Sequence, residues 1–407
     1  MRYKFLFFLL FLHHSLFSAI QLGIDVFASE SSYKSLIENK GIALIANQSA
    51  VNRDYKKTLD ILLNHGIQVS KIYAPEHGYF GGVDAGELFS ESWIRDIPIL
   101  RSYGSTKRPT EAMLENVDVV IYDIQDIGSR SFTYLSTLLY FMEEAAKKNI
   151  SIIVLDRPNP MGGHIVDGLL MDDQHRSFIS YVSVPYCHGM TIGELALFFN
   201  TEYKVGCDLT VVPMRGWKRG MIFEETGLPW VPLSPQIPEV DTPFYYATTG
   251  LIGQWSFMNN GVGYTLPFKI LGAPWADAIK MADILNAQKL PGVLFEPFHF
   301  TPYYALFAME HCEGVRIIIT DKKTFLPVST QYTIIDVLKD LYPNEFTESM
   351  QTLKKVQWKE NSFNALNGSI DIGKIICNEK YFISRLCEMI RKDCEYFIPI
   401  RNKYLIY

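Results

Sequence analysis

The sequence predicts a doubly wound, mostly parallel α/β sheet followed by a second, α+β domain, and three observations point that way. Residues 42–46, 69–73, 117–122 and 152–155 are continuous runs rich in Val, Ile and Leu, the mark of strands covered on both faces. Apolar residues at helical spacing occupy 55–64 and 134–148 between those runs, so strand and helix alternate as parallel connections require. After Gly168 the alternation loosens into Pro-rich and aromatic-rich stretches. The expected organisation is a leader over 1–19, a sheet domain over 20–170 and a second domain over 171–407.

Taken in order, each apolar run ends on a polar group. The first runs into Asn47, the second into Pro75-Glu-His-Gly78, the third into Asp123 and the fourth into Asp156. If the four strands are parallel neighbours, these groups share the carboxyl edge of one sheet, where open α/β sheets keep their chemistry. In the second domain the segments 213–243, 261–268 and 271–275 read as extended loops, and long loops in a compact domain are commonly functional. A strand signal returns at 314–320, with helix signals at 333–341 and 380–392.

Composition narrows the function. At 407 residues the chain is too long for a single ordinary core, and 48% apolar with 20% charged residues marks a folded protein. A net charge of -6 without an extended Lys/Arg run argues against nucleic acid as a partner. The 14% aromatic content suits a sugar-binding cleft and a dense core equally. The chain has neither a G-x-G-x-x-G turn nor a Walker sequence, so no nucleotide cofactor is expected. The absence of G-x-S-x-G disfavours a nucleophilic serine on an elbow. No zinc signature is present; His77 and His188 could meet a carboxylate, but no metal is expected.

Residues 1–12 give a basic start and a short apolar run, and 15–19 offer small residues for cleavage, which reads as an export signal. A buried first helix is the alternative. The apolar run is shorter than the roughly 20 residues that span a bilayer, and no integral membrane segment is expected once the signal is removed. Six cysteines (Cys187, Cys207, Cys312, Cys377, Cys387 and Cys394) show no disulfide framework and read mainly as buried free thiols.

Glu76 is the first candidate for a general acid or base, since Pro75, Ala74 and the aromatic run after it can desolvate a carboxyl and raise its pKa; a turn-capping carboxylate is the plain alternative. His77 could orient that carboxylate or serve structure. The loop from Tyr122 to Arg130 adds Asp123, Gln125, Asp126 and Arg130 ahead of Tyr134. Paired carboxylates are the raw material of glycoside hydrolysis, although Asp126 could instead pair with Arg130 and hold the loop. A guanidinium at Arg130 could grip a substrate carboxylate. Asp156-Arg-Pro-Asn-Pro160 is stiffened by two prolines, which would aim Asp156, Arg157 and Asn159, and a structural turn would look similar. Thr191 and Glu194 match a capping box, which leaves His188 free to face a cleft.

Taken together, Pro75-Glu-His-Gly78, Ala85-Gly86, the Tyr122–Gly128 loop, Arg130, Thr133-Tyr134, Asp156-Arg-Pro-Asn-Pro160, His188-Gly-Met-Thr-Ile-Gly-Glu-Leu195 and Gly272-Ala-Pro-Trp275 resemble the exo-β-N-acetylmuramidase family, over residues 23–321. The resemblance implies a Rossmann-like domain plus a second domain with the cleft between them. It implies an exported, periplasmic or secreted glycosidase that removes terminal N-acetylmuramic acid from the non-reducing end of peptidoglycan fragments, with the family's proposed catalytic glutamate falling on Glu76. The sequence departs from the family at Phe80, where many relatives carry Arg, at Gln236, where Asn is usual, and at Gln254, where some are acidic; these bear on substrate detail.

The expected chemistry is hydrolysis of a β-glycosidic bond. Glu76 would protonate the leaving oxygen or activate water, with Asp123 or Asp126 as second carboxylate and His77 beside them. Asn47, Gln125, Arg130, Tyr134, Asp156, Arg157, Asn159 and His188 would hold the sugar, Arg130 or Arg157 taking the lactyl carboxylate. The rival readings are a non-catalytic peptidoglycan-binding protein and an amidase or esterase acting on peptide or acyl substituents.

Overall fold

The computed structural model describes residues 19–407, so the expected export signal lies, apart from Ala19, outside the described residues. In chain order the first unit holds α1 (Gly23–Ser29), β1 (Ile42–Ala46), α2 (Thr58–Asn64), β2 (Val69–Ala74), β3 (Ser92–Ile94), β4 (Ile97–Arg101), β5 (Val119–Asp123), α3 (Thr133–Lys148), β6 (Ser151–Leu155), α4 (Ile192–Glu202) and β7 (Leu209–Val212). The seven strands lie in the order β3-β4-β2-β1-β5-β6-β7, all parallel except β3, which pairs antiparallel with β4. From β1 the chain winds outward through β2 to β4, then returns to β5 and winds the other way to β7. The direction of winding therefore reverses beside β1, which is where such sheets open a crevice at their carboxyl edge.

The side-chain period of two explains why these runs are apolar throughout. Along β1, Ala43 and Ile45 join the core shared with α3 and α4, whereas Ile42, Leu44 and Ala46 join the one shared with α1 and α2. Two interruptions trim the expected first helix: Tyr55 has φ 59, and Val51 bridges Lys57, so α2 begins at Thr58. Helix α4 starts with the expected capping box, the Thr191 hydroxyl accepting from Glu194 N at 3.2 Å and the Glu194 carboxylate from Thr191 N at 3.0 Å.

The sheet does not stop at residue 170. α4 and β7 complete it, so the first unit runs at least to Val212. The second unit consists of α5 (Thr242–Trp255), β8 (Ile270–Ala273), α6 (Ala278–Ala287), β9 (Val293–Phe300), β10 (Cys312–Ile319), α7 (Pro327–Leu341), α8 (Pro343–Lys355), α9 (Gln357–Asn367), α10 (Ile370–Asn378) and α11 (Ile383–Arg401). Its strands form a three-stranded antiparallel sheet in the order β8-β10-β9. The expected helix at 333–341 begins earlier, at Pro327, where a missing N–H is no loss.

The two units share one buried core. Phe244, Leu251, Ile335 and Phe397 belong to the same apolar cluster as Leu138 and Val154 of the first unit. Polar ties reinforce it: the Asp167 carboxylate accepts from Val328 N at 2.7 Å, Ser329 N at 3.0 Å and Ser329 Oγ at 2.8 Å, closing the first turn of α7. The hydroxyl of Tyr407 donates to Asp156 at 2.8 Å. All six cysteines are free thiols; four are buried, Cys377 is partly covered and Cys387 is exposed.

Candidate active site

Glu76 follows β2 by two residues. His77 and Gly78 after it both take left-handed backbone, with φ 70 and 78; this turns the chain sharply off the strand, and at His77 it is a conformation that L residues disfavour. Three hydrogen bonds hold the turn: Gly78 N to Pro75 O at 3.0 Å, Val83 N to His77 O at 3.3 Å, and His77 Nδ1 to Val83 O at 2.7 Å. Because a carbonyl can only accept, the Val83 contact puts a proton on Nδ1.

Glu76 is only 8% exposed. Its Oε2 accepts from the Thr133 hydroxyl at 2.6 Å, and its Oε1 from Gly86 N at 3.2 Å. Thr133 is the first residue of α3, so the carboxylate also faces the positive end of a 16-residue helix. Tyr103 also hydrogen-bonds to Glu76, and burial together with the neighbouring carboxylate pushes its phenol well up. A carboxylate fixed by several donors is oriented before any substrate arrives.

Glu76 and His77 line a cleft of about 470 Å³ between the carboxyl edge of the sheet and the second unit. Ser131, Phe132 and Thr133 come from the start of α3, Gly250, Gly253 and Gln254 from α5, and Ser362 and Leu366 from α9; Tyr246, Asn259, Asn260, Ala305 and Leu306 add further wall. Among the described residues lining it, Glu76 is the one carboxylate, and no Lys or Arg is present. Two cations touch lining residues from outside the lining: Arg130 Nη2 donates to Leu366 O at 2.9 Å, and Lys359 Nζ lies 3.3 Å from the hydroxyl of Ser256. Tyr246 hydrogen-bonds to Ser131 at 3.0 Å, and burial pushes its phenol up to about 12.

The other expected site residues do not gather in this cleft. Asp123 is fully buried and consumed: Arg157 Nε meets Oδ1 at 2.5 Å, Arg157 Nη2 meets Oδ2 at 2.9 Å, and Thr58 also donates to Oδ2. Both oxygens are occupied, so neither Asp123 as second carboxylate nor Arg157 as carboxylate grip fits. Arg130 donates to the carbonyls of Leu169 at 2.8 Å, Val184 at 2.5 Å and Leu366 at 2.9 Å, and burial lowers its pKa to about 10. It stitches α9 to the first unit with its donors turned to backbone carbonyls, and it does not pair with Asp126.

Asp156 accepts from Thr191 Oγ1, Gly193 N and Tyr407, each at 2.8 Å, and burial pushes it up to about 7. Asn159 bridges Met190 O and Met161 N, both at 3.0 Å, and Gln125 donates to the carbonyls of Asp126 and Pro158. Asn47 accepts from Ser49 N and Oγ. Tyr134 donates to Leu233 O at 2.6 Å, and its ring stands edge-on to His77 at 6.5 Å. These groups form the framework under the site.

Asp126 and His188 are a separate case. Asp126 accepts from Gly128 N through Oδ2 at 2.8 Å, leaves Oδ1 without a partner, and is raised by burial to about 7. His188 accepts from Met190 N through Nδ1, and its Nε2 lies 3.8 Å from Asp126. Burial, then the nearby Arg401 and Arg130, lower its pKa to about 3, so the ring is neutral. Neither residue lines the cleft, although the charge of Asp126 is felt at Tyr246.

Chemically, the cleft offers a positioned carboxylate, an imidazole, hydroxyls and amides around a volume suited to a small polar ligand. The serines lining it are not presented to a histidine, which disfavours serine-dependent acyl transfer. Tyr103, Thr133, Tyr246 and Lys359 carried no signal strong enough to be chosen as site residues from sequence, because each owes its role to a fold contact.

Comparison with known proteins gives the lineage. Residues 42–241 match the model of the N-terminal domain of the exo-β-N-acetylmuramidase NamZ, and residues 244–407 that of its C-terminal domain. The likeness thus continues through the tail. The chain is 39% identical to the peptidoglycan β-N-acetylmuramidase NamZ of Bacillus subtilis over 95% of its own length and 91% of that protein's. Two crystal structures of DUF1343 family proteins from Bacteroides fragilis share the fold. One has TM-score 0.88 and 36% identity, covering 95% of this chain and 99% of its own; the other has TM-score 0.73 and 28% identity, covering 96% and 99%. The chain therefore belongs to the NamZ exo-β-N-acetylmuramidase family, a Rossmann-like sheet domain and a second α+β domain joined around a cleft that holds Glu76.

Proposed function

We propose that this protein is an exo-acting β-N-acetylmuramidase, a glycoside hydrolase that releases terminal non-reducing N-acetylmuramic acid from peptidoglycan fragments. The observation that carries it is Glu76: a largely buried carboxylate, tied to Thr133 and Gly86, in a cleft of about 470 Å³, a volume matched to a terminal sugar with its substituents rather than a long glycan. Glu76 in its protonated form gives its proton to the glycosidic oxygen as the bond to the anomeric carbon breaks and a new bond forms on its other face; water then adds at that carbon and returns a proton to the Glu76 carboxylate. Since no second carboxylate lines the cleft among the described residues, the substrate's 2-acetamido oxygen takes the part of nucleophile, as in substrate-assisted glycosidases. That route retains configuration, so the first-formed product is the β-anomer; an α-anomer would indicate direct attack by water.

Recognition of the lactyl carboxylate falls to Lys359, whose ammonium lies 3.3 Å from the hydroxyl of the lining residue Ser256. Export is supported by the basic and apolar leader; among the described residues no helix is long and apolar enough to cross a membrane. The deciding experiment is incubation with the disaccharide of N-acetylmuramic acid β-linked to N-acetylglucosamine. Both free sugars should appear, and saturable binding without release would make the protein a binding module instead.

A further inference from the structure

The loop joining β9 to β10 supplies Ala305 and Leu306 to the cleft wall. Its backbone is unusual: Ala305, Phe307 and Met309 have φ 70, 59 and 66, a region that L side chains disfavour. Such a conformation persists where its surroundings over-determine it. Part of that constraint is on the page, since Asn259 Nδ2 donates to Leu306 O at 2.8 Å and Met309 N to Pro302 O at 2.8 Å. The stem of the loop carries a second constraint, built from three side chains.

His299 on β9 stands directly opposite Glu313 on β10 in the antiparallel register. His311 precedes Glu313 by two residues and so projects from the same face. Val315 and Ile317 continue that face and are buried, whereas His299 and His311 sit where it emerges into solvent. His299 Nδ1 lies 3.3 Å from His311 Nε2 and 3.9 Å from Glu313 Oε1, and one ligand atom from each of the three residues falls within 4.8 Å of the others. Zinc bonds to imidazole nitrogen of about 2.0–2.1 Å place neighbouring tetrahedral ligands about 3.4 Å apart. The imidazole pair already has that spacing, and the carboxylate needs only a small rotation to join it.

We propose that His299, His311 and Glu313 bind a divalent transition-metal ion of the zinc class, with water completing the coordination, and that the ion clamps the stem of the loop walling the cleft. The ligands come from two strands at a spacing that matches no recognised zinc signature, which is why the sequence does not announce them. The site is open to solvent, so metal can enter a folded chain. Binding requires both rings neutral and is lost as they protonate.

The test uses untagged protein freed of metal by chelator and dialysis. Zinc is titrated in competition with a chromophoric chelator, and hydrogen exchange of 301–310 is followed in the same samples. The wild type should take up one equivalent and show slowed exchange in that segment. His299→Ala/His311→Ala should take up none at the same free zinc and show no slowing, with an unchanged circular dichroism spectrum because both rings are exposed. Equal uptake by wild type and variant, or no uptake by the wild type, overturns the site; uptake without slowed exchange overturns the clamp. Neither readout depends on glycosidase activity, so failure here leaves the proposed reaction standing.

Discussion

Glu76→Gln is the substitution on which the mechanism turns, and its outcome can be worked from the contacts. The carboxylate accepts from Thr133 Oγ1 at 2.6 Å and from Gly86 N at 3.2 Å. A glutamine can keep both ends satisfied, its carbonyl oxygen facing Gly86 N while its amide donates to the Thr133 hydroxyl, which rotates to accept. The fold and the sugar-binding wall should therefore survive, with stability changed by no more than about 1–2 kcal/mol as charge-assisted bonds become neutral ones. What disappears is the transferable proton. Positioned general acids contribute roughly 10²–10⁴-fold, so turnover on the natural disaccharide should fall by that factor, or about 3–5 kcal/mol of barrier. The same variant assayed on an aryl β-glycoside with a weakly basic leaving group should lose much less, because such a leaving group departs with little protonation. A comparable deficit on both substrates would refute the acid role, and near-wild-type turnover on the disaccharide would remove Glu76 from the mechanism.

Arg130→Met should act on stability, since two buried carbonyls and a partly buried one lose their donor; a loss of about 3 kcal/mol is expected in denaturant melts, with KM of the folded fraction unchanged, and a raised KM at unchanged stability would restore the substrate-gripping role. Lys359→Met should raise KM for N-acetylmuramyl substrates about tenfold, the scale of one lost charge-assisted contact, and leave kcat alone; the effect should vanish with a lactyl amide, and an equal effect on acid and amide would dismiss Lys359 as the carboxylate's partner. Asp156 provides a pH test. Its folded pKa of about 7 lies above the ordinary value of 3.8, so between those limits the folded state holds a proton that the unfolded state has released, and stability falls as pH rises through that window. Asp156→Asn should reduce this trend in urea melts between about pH 4 and 7, leaving the share of Asp126, which burial also raises to about 7, and after allowance for His188, whose lowered pKa contributes a slope of opposite sign below its ordinary value of 6.5; an unchanged slope would mean that Asp156 is not the protonated group.

The parallel strands were legible because burial on both faces leaves their residues apolar without interruption, as in Ile42–Ala46 and Val119–Asp123. The second unit was less so. Its helix α8 is largely charged and polar on its outer face and buries only Phe346, Met350 and Leu353, so its signal is set by packing partners that arrive from elsewhere. The limit of the sequence boundary at residue 170 has the same cause: β7 is a short, half-covered strand whose place in the sheet comes from pairing with β6.

The site divides along a physical line. Glu76 and His77 were legible because a strand running into a Pro/Gly-punctuated turn must present its next side chains at the sheet's edge. Asp123 reads as a second catalytic carboxylate, and Arg130, Asp156, Arg157, Asn159 and His188 as sugar-holding groups, for the same reason, but a buried polar side chain is satisfied equally well by substrate or by backbone, and only long-range contacts decide which. Arg130 meets Leu366 across 236 positions of sequence, and Tyr407 meets Asp156 across 251. A charged motif at a strand end thus records a requirement for a partner without naming it. Here the partner is protein, and the consequence for mechanism follows: the groups that fix the Glu76 turn, the start of α3 and the second unit in register are held by a buried polar lattice whose members do not line the cleft. Substitutions there should lower the amount of active enzyme, whereas substitutions at Glu76, Thr133 and the cleft wall should change what each active molecule does.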